Sequence, residues 1–92
     1  MHFAAHCTDR PNSAELRLAN RVAHRDWLAK YEGRVKLGGP YLAADGVTMI
    51  GSLIVVEAPD EATARAMFAE EPYNKAGVFA SMELRAFRVV VG

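Results

Sequence analysis

The sequence predicts an α+β fold in the order strand, helix, strand, strand, helix, strand, a βαββαβ chain forming a four-stranded antiparallel sheet with two helices on one face. Three observations predict it. Two amphipathic stretches, at about 14–32 and 61–71, are separated by two strand-like runs and flanked by one more on each side. Those runs either alternate apolar with polar residues or are rich in β-branched ones, as strands with one buried face do. The breaks between them carry turn chemistry: Asp9 to Ser13, Gly33, Asp45-Gly46 and Pro59-Asp60.

In "HFAAHCT", residues 2–8, Phe3, Ala5 and Cys7 alternate with His2, Ala4 and His6, which predicts a first strand with one buried face. Asn12 or Ser13 is placed to cap a helix from about Ala14 to Glu32, and Gly33 to end it in left-handed geometry. "RVKLGG" predicts a short second strand that Gly38, Gly39 and Pro40 interrupt. After the Asp45-Gly46 turn, "SLIVVEA" is the clearest strand, with three β-branched residues in a row. Asp60 caps "EATARAMFAEE", whose apolar face is expected to be Ala62, Ala66, Phe68 and Ala69. Pro72 stops that helix, "PYNKAGVF" reads as a loop with one helical turn, and "SMELRAFRVVV" reads as the last strand. This is the split βαβ arrangement of ferredoxin-like folds.

Ninety-two residues predict one domain, 1–92, with a modest core, so association of two copies through the uncovered sheet face is expected. The formal net charge is zero and no basic stripe interleaves with aromatics, which argues against nucleic acid as a partner. No apolar run approaches the roughly 18 residues of a spanning helix, so no membrane partner is expected. A lone cysteine, Cys7, fits a reducing compartment, and the expected location is cytoplasmic.

The first helix carries the most informative pattern. On a wheel of about 100° per residue, Leu16, Ala23, Trp27 and Tyr31 form an apolar stripe. Arg17, Arg21, His24 and Leu28 form a row along its border. An imidazole between core and water can act as a general base near neutral pH, and guanidinium groups beside it can hold an anion. The plainer alternative is a packed histidine with a satisfied hydrogen bond, and arginines that are solvated or paired with Asp9, Glu15 or Asp26. His2 and His6 share a strand face but have no evident third ligand, so no metal is expected. Cys7 reads as core rather than nucleophile. Glu70 and Glu71 end a helix, where the dipole disfavours negative charge, so a partner is expected for them.

Taken together, these pieces resemble the YCII-related (YciI-like) family. The resemblance covers nearly the whole chain. It rests on a first strand ending at Asp9, on Arg17, Arg21 and His24, on "EGRVKLGGP" at 32–40, and on Gly51-Ser52. It continues through Glu71-Pro72-Tyr73, Ala76-Gly77-Val78 and "ELRAF". It implies a subunit of the dimeric α/β-barrel group with a histidine and an aspartate in a pocket and enzymatic activity. One branch of the family handles chlorinated hydroquinone-type metabolites. Carried over by position, the family histidine is His24 and the family aspartate falls on Glu71. Glutamate keeps the charge but displaces the carboxylate by about 1.5 Å, and a misplacement of about 1 Å can cost a catalytic group roughly 10²-fold. Two further departures are Ala86, where relatives often have proline, and a short loop after Pro40.

The functional expectation is a small-molecule enzyme, with His24 and Glu71 as an acid–base pair acting on an anionic or aromatic metabolite. Arg17 or Arg21 would hold its charged group, and Gly39, Pro40, Ser52 and Tyr73 would line the pocket. Fitting reactions are proton transfer next to a carbonyl, dehalogenation by elimination, and lactone isomerisation. No cofactor motif is visible and no cofactor is expected. The expected partners are a small-molecule ligand and a second copy of the chain, as a homodimer or a higher oligomer built from it. The alternative is a dimeric module that binds the same ligand without turnover.

Overall fold

The computed structural model describes residues 1–92. Its elements are β1 (His2–Asp9), α1 (Ala14–Ala19), α2 (Arg21–Lys30), β2 (Val35–Leu42), β3 (Met49–Glu57), α3 (Glu61–Ala69), α4 (Pro72–Lys75) and β4 (Phe79–Phe87). The strands form one sheet in the order β2-β3-β1-β4, and every pairing is antiparallel. The expected α+β architecture is therefore present, with β3 and β1 as the interior strands.

Register explains the core. Phe3, Ala5 and Cys7 pair with Val56, Ile54 and Ser52 on β3, and Ala5 and Cys7 pair with Leu84 and Met82 on β4. This face packs beneath the helices around Phe68, Val78 and Trp27. The alternating residues His6, Thr8, Glu83, Arg85 and Phe87 are exposed.

Several expectations need correction. The first helix is two helices, broken at Asn20. The Asn20 amide bonds the Arg17 carbonyl at 3.1 Å, and its side-chain amide takes the Leu16 carbonyl at 2.9 Å. A short polar side chain thus competes for a backbone acceptor, a common reason for a break. The inward face then carries Arg17, His24, Trp27, Leu28 and Tyr31, whereas Leu16 and Ala23 are exposed. The Ser13 hydroxyl does not cap α1; it donates to the Arg10 carbonyl at 2.6 Å. Gly33 does adopt the left-handed conformation, at φ 86°.

β2 runs through Gly38, Gly39 and Pro40 instead of stopping there. It is an edge strand, where a proline without an N–H costs no interior ladder bond. Asp60 caps α3 by accepting from the Thr63 amide at 2.7 Å, as expected. The buried face of α3 is Ala64, Met67 and Phe68, while Ala62, Ala66 and Ala69 are exposed. The Trp27 indole N–H donates to the Met67 carbonyl at 3.0 Å and joins α2 to α3. β4 ends at Phe87, leaving Val89, Val90 and Val91 exposed beyond it.

Candidate active site

Glu71 closes no helix. It is the N-cap of α4, with Pro72 in the first turn. Proline belongs there because the first-turn N–H groups have no helical acceptor. The Glu71 carboxylate accepts from the amides of Tyr73 at 3.1 Å and Asn74 at 2.9 Å. The dipole expected to oppose this charge therefore supports it. Glu70, the neighbouring acid, turns to the surface and bonds Lys30 and the Tyr31 hydroxyl.

Glu71 is completely buried, and its Oε1 lies 2.5 Å from His24 Nδ1. A carboxylate can only accept, so this contact assigns the proton to Nδ1. Nε2 has no hydrogen-bond partner in the protein and is not sealed from solvent. Tyr73 stacks on the imidazole with 4.1 Å between centroids and 12° between planes. The ring is thus fixed in its plane by Glu71 and on its face by Tyr73. Tyr73 is itself held by a T-shaped contact with Phe79 and by the Arg17 guanidinium, 4.9 Å from its centroid.

Arg17 and Asp9 form a second buried unit. Arg17 Nε and Nη2 meet the two Asp9 oxygens at 2.6 and 3.0 Å. Nη2 also donates to the Gly51 carbonyl at 2.8 Å and the Ser52 hydroxyl at 2.9 Å. Of the three acids considered for this arginine, Asp9 is the partner, and Arg17 carries no uncompensated charge.

A cavity of about 610 Å³ lies between α1, α2 and the β2–β3 side of the sheet. Arg17, Arg21, His24, Gly39, Pro40, Ser52 and Tyr73 all line it, and Glu71 stands behind His24. The size falls within the range of small-molecule sites. Sequence reasoning missed Arg25, Leu28, Met49 and Ile54 in its wall. Arg25 carried a readable signal, four residues after Arg21; Leu28 stood in the border row with His24 but was given no place in the pocket, and Met49 and Ile54 offered only strand-like apolarity.

Cys7 lies on the buried face of β1. Its thiol is pushed up to about 12, by burial first and then by the charges of Glu71 and Asp9, with Arg17 opposing. It is a core thiol and not a nucleophile. His2 and His6 have separate neighbours, Glu57 at 3.7 Å and the Tyr41 hydroxyl at 3.0 Å. No three His, Cys, Asp or Glu side chains form a group that could hold a metal ion.

The YCII-related domain matches residues 1–88. Protein YciI of Escherichia coli O6:H1 is 31% identical over 97 residues, covering 98% of this chain and 99% of that one. An uncharacterized protein of Haemophilus influenzae is 30% identical, with the same coverage. Among solved structures, 5-chloro-2-hydroxyhydroquinone dehydrochlorinase (TftG) from Burkholderia phenoliruptrix AC1100, in complex with 2,5-dihydroxybenzoquinone, matches with a TM-score of 0.88 at 30% identity. That match covers 96% of this chain and 94% of the dehydrochlorinase.

Proposed function

The chain belongs to the YCII-related domain family, and from that premise we propose that it is a small-molecule enzyme whose His24 and Glu71 act as an acid–base pair on a hydroxylated aromatic or otherwise anionic metabolite. The observation that carries this reading is the 2.5 Å contact between Nδ1 and a fully buried carboxylate, with Nε2 left free beside a cavity. Glu71 holds the imidazole in the tautomer that offers the Nε2 lone pair to substrate. Nε2 removes a proton from a ring hydroxyl or an activated C–H, and Glu71 stabilises the resulting imidazolium. The electron pair released on the substrate expels a leaving group or shifts a double bond, and the proton then passes to product or solvent. The glutamate is accommodated because α4 presents two amides to its carboxylate.

The dehydrochlorinase supports the elimination class, since its name describes loss of hydrogen and chloride from a chlorinated hydroxyhydroquinone. We propose the same class for this chain. The test is chloride release from 5-chloro-2-hydroxyhydroquinone and related chlorinated phenols. Turnover by the natural sequence should fall by about 10²–10⁴-fold in His24→Ala, with the circular dichroism spectrum retained. Turnover that survives His24→Ala, or binding with no turnover of any substrate in the panel, sinks the proposal.

The same reading has the 1–92 chain act as one domain and as a homodimer in the cytoplasm. Support comes from the exposed Leu37 and Phe87 on the sheet and from the lone, reduced Cys7. No helix is long and apolar enough to cross a membrane. Light scattering that gives a monomer at working concentration would remove the dimer from this proposal.

A further inference from the structure

We propose that Arg21 and Arg25 form an anion clamp at the mouth of the cavity, and that it selects a ring-sized organic acid bearing a carboxylate remote from the reacting atoms. This rests on the reading of the cavity as the substrate site. Three arginines line the cavity and no Asp or Glu does. Arg17 is neutralised by Asp9 within the protein, so it adds little net attraction. The ion pairs of the molecule are made by His2, Arg17, His24, Lys30, Arg65 and Arg85. Arg21 and Arg25 are outside that set and donate no side-chain hydrogen bond, although both border the cavity.

Arg21 and Arg25 are four residues apart on α2, one turn or about 6 Å along its axis. Like charges at that spacing repel, and an anion between them relieves the repulsion. A carboxylate accepts from two guanidinium groups with good geometry. The rest of the wall includes Leu28, Met49 and Ile54, which favour an apolar ring over a bare inorganic ion. His24 lines the same cavity as the two arginines, so an acid held by them has its ring in the space that the imidazole borders. A carboxylate is a feature absent from the chlorinated hydroxyhydroquinone named for the structural neighbour.

The test is calorimetric or NMR titration of the full chain at neutral pH with 2,5-dihydroxybenzoate, hydroquinone and inorganic phosphate. The expected order is the ring acid tightest, by about tenfold over hydroquinone, as two exposed ion pairs allow. Raising the salt should erode that preference. Arg21→Gln/Arg25→Gln should abolish the preference while the affinity for hydroquinone stays within twofold. His24→Ala should keep the preference even where turnover is lost, which separates failure of the clamp from failure of the acid–base pair. No preference for the carboxylate, a preference that survives in the double variant, or phosphate binding as tightly as the ring acid overturns the clamp.

Discussion

His24 and Glu71 meet at 2.5 Å although they are 47 positions apart in the chain, and only the histidine of the pair reaches the cavity. In the proposed mechanism Glu71 therefore acts through His24. Glu71→Gln keeps the shape but removes the charge and the enforced tautomer. Turnover should drop by about 10²–10⁴-fold with the fold intact. Nitrogen NMR of the imidazole should report mixed tautomers where the natural sequence reports Nδ1–H alone. Glu71→Ala also leaves two amides and the imidazole without their acceptor, and should cost about 2 kcal/mol in urea unfolding.

Asp9 and Arg17 should behave as one unit. Either Asp9→Asn or Arg17→Met alone strands a buried charge and should destabilise by about 3–5 kcal/mol. The double variant should recover a large part of that loss, because both desolvation costs vanish together. Strictly additive losses in denaturant titrations would show that the two residues act independently.

Gly51 is the glycine that the sheet cannot replace. A Cβ there would stand 2.3 Å from the Cys7 carbonyl oxygen and 3.2 Å from the Tyr41 ring. Backbone cannot yield cheaply, so Gly51→Ala should cost about 2 kcal/mol or more. Gly38→Ala and Gly39→Ala meet nothing within 4 Å and should leave the melting temperature nearly unchanged.

Cys7 should resist alkylation by iodoacetamide in the folded protein and react fully once unfolded. With the folded thiol at about 12 against a usual value of 9.0, the unfolded chain loses its proton first as pH rises. The stabilisation from the buried neutral thiol is thus complete below about 9 and is lost between about 9 and about 12. Cys7→Ala should flatten that part of the stability profile.

Much of this was readable from residues because the signals were local. Alternation placed β1, the Pro59-Asp60 step placed the start of α3, and Gly33 marked the turn after α2. The break at Asn20 was not readable, because one side chain's choice of the Leu16 carbonyl decides it. The wheel placed Trp27 and Tyr31 inward but misplaced Leu16 and Ala23, because it ranked residues by hydrophobicity. Arg17 faces inward for a reason that lies eight residues away, in Asp9. On α3 the alanines are ambivalent, and Met67 and Phe68 set the buried face. Glu71 looked badly placed as the end of one helix because the four-residue helix that begins there was only hinted at.

The chain has a single tryptophan, and its indole is anchored to α3 one turn beyond His24 on the same helix. That gives the protein a built-in optical gauge. Loosening α2 from α3 would hydrate the indole and shift its emission to the red, so undocking of the helix that carries His24 can be followed without a label, in real time and in any variant that keeps Trp27.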